Sequence, residues 1–132
     1  MKLENKILRI TCDGGAATGK STGAKLLAKK YNLAFLSSGI LYRYAAYLNL
    51  RYKPKNKINF LKKKFKVLKY KNLNKINLHT PKISIETSKL AQILAIRNIL
   101  KKYQRDFIKK NQRCILEGRD ASTKILPNSN IK

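Results

Sequence analysis

Gly14-Gly15-Ala16-Ala17-Thr18-Gly19-Lys20-Ser21 is the stretch whose reading decides the fold. It satisfies G-x-x-x-x-G-K-[ST], a pattern that carries meaning only when a strand precedes it and a helix opens out of it. Ahead of it, Ile7-Leu8-Arg9-Ile10-Thr11-Cys12 is a short β-prone run that stops at the turn signal Asp13-Gly14-Gly15, so a buried strand is expected. Behind it, Ala24, Leu27, Ala28 and Tyr31 recur at helical spacing as far as Asn32, a plausible helix end. Between strand and helix, glycines let successive backbone N–H groups curl around phosphate oxygens, and the helix N-terminus adds the positive end of its dipole. Lys20 then reaches the outer phosphates, and Ser21 offers a hard oxygen to Mg²⁺, which takes few protein ligands and keeps waters and phosphates as the rest. A nucleoside triphosphate is therefore expected against Gly14, Gly15, Ala16, Ala17, Thr18, Gly19, Lys20, Ser21 and Thr22. The competing reading, a Gly/Ala-rich turn with an incidental lysine, leaves the flanking strand and helix without a reason.

Outward from the loop, Ala34-Phe35-Leu36 reads as a second short strand. Ser37 or Ser38 can cap a following helix with Leu41, Ala45 and Leu48 on one apolar stripe, giving β-α-β-α. From Arg51 to Leu78 the chain is charge-rich, with Phe60, Phe65, Val67 and Leu68 scattered through it, and both helix and a small ribbon remain open. Thr80-Pro81 is a sharper signal, since Thr caps helices and Pro is favoured at the first helical position. From there an apolar face runs through Leu90, Ile93, Leu94, Ile96, Leu100, Tyr103 and Phe107 to Asn111, with room for a bend. Cys114-Ile115-Leu116 follows as a strand ending at Glu117-Gly118-Arg119-Asp120.

The 132 residues amount to about one domain. The apolar runs are broken by Lys, Arg or Asn well short of the roughly 18 residues that cross a bilayer, and Met1-Lys2-Leu3-Glu4 lacks a signal-peptide core, so a cytoplasmic protein without membrane attachment is expected. Cys12 and Cys114 lie far apart and outside any CxxC pair, and read as buried reduced thiols. A formal charge of +25 attracts phosphate polyanions, and weak non-specific nucleic-acid binding follows from it. The excess is mostly Lys travelling with Asn and Ile, the signature of an AT-rich genome, and its densest cluster, Lys53 to Lys75, lacks the regular aromatic interleaving of a base-stacking platform.

The glycine loop alone leaves ATPases, GTPases and small-molecule kinases open, and later segments narrow the choice. Ser38-Gly39-Ile40-Leu41-Tyr42-Arg43 resembles the S-G-x-x-Y-R segment of bacterial cytidylate kinases, in the same place after the second strand. Leu78-His79-Thr80-Pro81, with Ser88-Lys89-Leu90-Ala91 and Ile96-Arg97, is similar to that family's L-R-T-P…A-S-x-x-A…V-R stretch. Tyr103-Gln104-Arg105-Asp106-Phe107 is similar to its R-Q-R-x-F, and Leu116 to Thr123 to its D-G-R-D-x-G-T, with Pro127 at the family spacing. The resemblance implies an α/β fold of the P-loop nucleoside monophosphate kinase type, with a parallel sheet flanked by helices and residues 51–112 as a basic, largely helical monophosphate-binding insert in one domain spanning 1–132.

It further implies ATP-dependent phosphorylation of CMP or dCMP, with ATP and Mg²⁺ as cofactors. Lys20, Arg43 and Arg119 would be catalytic. Ser38, Tyr42, Arg43, Ser88, Arg97, Arg119 and Asp120 would bind substrate: Ser38 on the ribose side, the two arginines on the monophosphate, and Ser88, Arg97 and Asp120 on the cytosine. Ser21 and Glu117 would serve the metal. The sequence departs from the family at Gly15 for Pro, Ser37 for an acid, His79 for Arg, Lys82 for Glu, Glu117 for Asp and Ser122 for Gly. In the family a further strand, a lid and final helices follow, so the resemblance reads this sequence as the N-terminal part of a protein incomplete at its C-terminus and monomeric when complete. The lid arginines have no counterpart among these residues, and an equivalent arginine in other phosphoryl-transfer proteins is worth about 10³ to 10⁵ in rate. A nucleotide-binding module without turnover and a basic RNA-binding protein with a vestigial P-loop are the rival expectations.

Overall fold

The computed structural model describes residues 8–12 and 20–118, except the side chains of Cys12 and of 20–24. The element order is β1 (Leu8–Cys12), α1 (Lys20–Tyr31), β2 (Ala34–Ser37), α2 (Ser38–Tyr52), α3 (Lys57–Lys66), a 3-10 turn at Tyr70–Lys75, α4 (Pro81–Leu90), α5 (Leu94–Lys110) and β3 (Arg113–Glu117). The chain divides into two compact units, one of residues 1–38 and 104–132 and the other of residues 39–103.

The first unit holds a parallel sheet in the order β1-β3-β2, so the last of the described strands in sequence is the middle one in space. A strand between two parallel neighbours is buried on both faces and reads as a continuous apolar run. Cys114, Ile115 and Leu116 are accordingly at most 1% exposed. Ile10, Ala28, Leu33 and Ile115 form a core against which Leu8, Tyr31 and Phe35 pack, and α1 lies over β2 and β3. The sequence makes the turn from α1 into β2 with Asn32 at φ 55°, the left-handed region that Asn tolerates better than most residues. With Asn32 in that conformation, Leu33 N–H reaches back 2.8 Å to the Ala28 carbonyl, the bond that closes a Schellman helix end. The Arg113 guanidinium donates to the Tyr31 carbonyl at 2.6 Å, which ties the same helix end to the first residue of β3. The helical spacing that includes Leu27 is only half observed: Ala28 is buried and Leu27 is 38% exposed.

The second unit is helical. Leu41, Ala45, Ala46 and Leu48 of α2, Leu61 and Phe65 of α3, Ile83 and Leu90 of α4, and Ile96, Ile99 and Leu100 of α5 are its buried apolar residues, with Leu73 and Leu78 from the connections. Phe65 meets Tyr44 and Tyr103 edge-on, each at 5.8 Å between ring centroids. The Tyr103 hydroxyl donates to the Leu68 carbonyl at 3.0 Å. Between Arg51 and Leu78 the open choice resolves as helix: α3 begins at the N-cap Asn56, whose side chain accepts from Asn59 N–H, and turns only Leu61 and Phe65 fully inward. Thr80 caps α4 by accepting from Ile83 N–H at 3.2 Å, and Pro81 follows at the first turn, as expected. The apolar face from Leu90 to Phe107 is interrupted. α4 stops at Leu90, a turn occupies 91–93, and Leu94 at the start of α5 is 65% exposed.

Candidate active site

Parallel strands that stop in register gather whatever follows them, and here all three do. Cys12 and Ser37 are both register partners of Glu117, so β1, β2 and β3 end in one row. The glycine pattern leaves from Cys12, the Ser38 segment from Ser37 and the Glu117-Gly118-Arg119-Asp120 segment from β3. The carboxyl edge of an open parallel sheet is where α/β proteins bind ligands, because the helices that follow the strands present their N-termini there.

Within that row Ser37 is 4% exposed, Glu117 is half-buried, and Gly118 backs directly onto Ser38. A Cβ added at Gly118 would overlap Ser38 Oγ and lie 3.1 Å from its Cβ, so the absence of a side chain at 118 is what lets the Ser38 hydroxyl occupy its place. Lys20 is the first residue of α1, as the pattern requires, and Ser21 and Thr22 follow in its first turn. Gly14, Gly15, Ala16, Ala17, Thr18 and Gly19, together with Arg119 and Asp120, lie outside the described residues.

The remaining expected residues belong to the helical unit. Tyr42 and Arg43 are half-buried on α2, Ser88 is exposed on α4, and Arg97 is half-buried on α5. Arg43 is the best-defined of them: its Nη1 donates to the Leu78 carbonyl at 3.1 Å and to Ser84 Oγ at 3.0 Å. Ser88 Oγ points back along its own helix, 3.3 Å from the Ser84 carbonyl, one turn away. A second polar bridge joins the same two helices, from the Asn49 amide to the Glu86 carboxylate. The structure thus brings Arg43 together with Ser84, one turn before Ser88 on α4, and brings Ser38 together with the end of β3. Ser84 was not singled out from the sequence, although it stands four residues before Ser88 and so on the same helical face.

Among the described residues there is no group of three His, Cys, Asp or Glu side chains placed to hold a metal ion. The donors expected for Mg²⁺ are oxygens, and mostly not the protein's own: Glu117 ends β3 and Ser21 lies in the first turn of α1. Cys114 is a buried free thiol, and burial pushes its pKa up while Arg9 pulls it down. No helix among the described residues is long and apolar enough to cross a membrane.

A parallel sheet flanked by helices, with a G-x-x-x-x-G-K-S sequence joining its first strand to its first helix, is the architecture of the P-loop nucleoside monophosphate kinases. Residues 10–132 match the sequence model of the family described as cytidylate kinase, and the chain belongs to that family. It is 38% identical over 137 aligned residues to a cytidylate kinase of Thermosipho melanesiensis, covering 94% of this chain and 61% of the relative. A cytidylate kinase of Fusobacterium nucleatum is 37% identical, with 98% of this chain and 63% of the relative covered. One of Aquifex aeolicus is 30% identical, with 95% and 61% covered. The chain therefore spans about three fifths of the length of the curated relatives it matches.

Proposed function

We propose that the protein transfers the γ-phosphoryl group of ATP to CMP or dCMP, giving ADP and CDP or dCDP. The observation that carries this reading is the flush row Cys12–Glu117–Ser37, from which the triphosphate-binding and monophosphate-binding sequences both depart. Family membership supports the choice of the acceptor.

An oxygen of the CMP phosphate attacks the γ phosphorus in line, and the bond from that phosphorus to the β-phosphate oxygen breaks. Little covalent chemistry is asked of the protein, so its work is positioning and charge neutralisation. Lys20 and the backbone of the glycine loop hold the outer phosphates of ATP. Arg43 and Arg119 hold the acceptor phosphate, a task suited to a planar guanidinium that grips two oxygens at once. Ser38 takes the ribose side, Tyr42 stands beside Arg43 on α2, and Ser88, Arg97 and Asp120 contribute donors and acceptors to the cytosine edge. Ser21 and Glu117 would hold Mg²⁺, which would supply positive charge against the transferring phosphoryl group. A cytoplasmic, monomeric enzyme fits this reading.

The test is ADP release from ATP with CMP, dCMP, UMP and AMP in turn, alongside CMP and ATP binding by calorimetry, for the unaltered chain and Lys20→Ala. CMP- and dCMP-dependent release that Lys20→Ala abolishes is expected. Preference for AMP, or no binding of either nucleotide, overturns the reading.

A further inference from the structure

A guanidinium offers two forks of paired N–H groups, Nη1 with Nη2 and Nε with Nη2, and Arg43 has spent its Nη1 protons inside the protein. One goes to the Leu78 carbonyl at 3.1 Å and the other to Ser84 Oγ at 3.0 Å. Those bonds fix the plane of the group and leave the Nε–Nη2 fork as the one that can meet two oxygens of a phosphate. Both partners are neutral, so they orient the cation without cancelling its charge. Between residues 39 and 103 there are seventeen Lys and Arg residues and one acid, Glu86, whose carboxylate is bonded to Asn49.

We propose that Ser84 is a positioning residue for the acceptor phosphate: it aims the Nε–Nη2 fork of Arg43 while preserving that residue's full charge. The inference rests on the reading of Arg43 as a phosphate ligand. The Leu78 carbonyl is backbone, set by the capped turn at Thr80, so Ser84 is the half of the clamp that a side-chain change removes. Without its hydroxyl, Nη1 keeps one partner and the guanidinium plane can turn about it. Binding of a phosphate then has to fix that rotation, which weakens affinity for CMP and leaves affinity for cytidine alone.

The experiment compares CMP with cytidine, both by ligand-observed NMR titration, in the unaltered chain, Ser84→Ala, Ser84→Thr, Ser84→Asp, Arg43→Ala and the Ser84→Ala/Arg43→Ala double variant. Ser84→Ala is expected to weaken CMP roughly tenfold, the size of one hydrogen bond to a charged group, with cytidine unmoved. Ser84→Thr restores the hydroxyl and the affinity. Ser84→Asp binds Arg43 more firmly and protects the fold, yet weakens CMP further, because a carboxylate cancels the charge the phosphate needs. In the Arg43→Ala background, removing Ser84 has no further effect on CMP. Equal losses for CMP and cytidine, an unchanged CMP affinity in Ser84→Ala, or full CMP affinity in Ser84→Asp would each overturn the proposal in favour of a plain α2–α4 tie. If Arg43→Ala itself leaves the ratio of CMP to cytidine affinity unchanged, or the unaltered chain fails to bind CMP, the reading of the site falls and the proposal with it.

Discussion

A methyl group at Gly118 would have to displace the Ser38 hydroxyl, the atom it would overlap. Because a hydroxyl can rotate away, Gly118→Ala is expected to cost only about 1 kcal/mol, at the low end for overpacking, and a few degrees in melting temperature. Ser38→Ala in the same chain removes the overlapping atom and should recover most of that loss in thermal unfolding. An unchanged melting temperature in Gly118→Ala would refute the close approach. Tyr103 makes a second residue-scale case. Its hydroxyl donates to the Leu68 carbonyl, and burial raises its pKa above the ordinary 10.0, with a hydrogen bond from the Tyr70 backbone acting the other way. A raised folded value means that its contribution to stability is complete below pH about 10 and is lost as pH climbs through the folded pKa. Tyr103→Phe should therefore be about 1 kcal/mol less stable near neutrality, by loss of the bond, and should lose less than the unaltered chain between neutrality and strongly alkaline pH. Denaturant titrations at stepped pH measure both, and parallel curves would rule out the coupling.

Helix ends decide the element scale. Lys53, just after α2, sits at φ 43° while its N–H closes the last turn onto the Asn49 carbonyl at 3.0 Å. A left-handed conformation costs an L-residue about 1–2 kcal/mol and glycine almost nothing, and the extra freedom of glycine in the unfolded chain returns part of that difference. Lys53→Gly is thus expected to stabilise the protein by about 0.5–1 kcal/mol, read as a raised urea midpoint; a lowered one would place the strain elsewhere. The elements that the sequence displayed most clearly are those whose ends carry such chemistry: glycine after β1, Asn32 after α1, Thr80-Pro81 before α4. The sequence left room for a bend between α4 and α5 but did not place it, because neither Gly nor Pro marks 91–93, and Leu94 keeps the helical spacing while facing outward at 65% exposure. α3 was obscured for a different reason: two inward residues, Leu61 and Phe65, among five lysines make too narrow a stripe to register as a period.

At the scale of the whole molecule, charge dominates. A net +25 on 132 residues works against the compact state by self-repulsion, and salt screens that repulsion beyond about 8 Å at physiological ionic strength. Raising NaCl from about 50 to 500 mM is expected to raise the melting temperature; a fall, or no change, would show that the lysines are neutralised locally. That the glycine pattern and the two later motifs each directly follow an apolar run was legible; that the three runs end in one row came from the register of β3 with its two neighbours. What was not legible is the aim of individual side chains. Sequence placed Arg43 on a helix, but its hold on the Leu78 carbonyl and Ser84 spans thirty-five and forty-one residues of chain and depends on how α2 and α4 pack.

The middle strand of the sheet is also the last of the three to leave the ribosome. Among the described residues, β1 and β2 have no parallel neighbour until Arg113–Glu117 is made, since each pairs with β3 and neither with the other. Pairing Leu8 with Arg113 closes a very long loop, whereas the contacts within 39–103 span much shorter ones. The helical segment is therefore expected to be structured while the nucleotide-binding edge is still two unmatched strands, and pulse-labelled amide exchange during refolding should find α2 and α4 protected before β1. Simultaneous protection would mean that the sheet and the helices nucleate together.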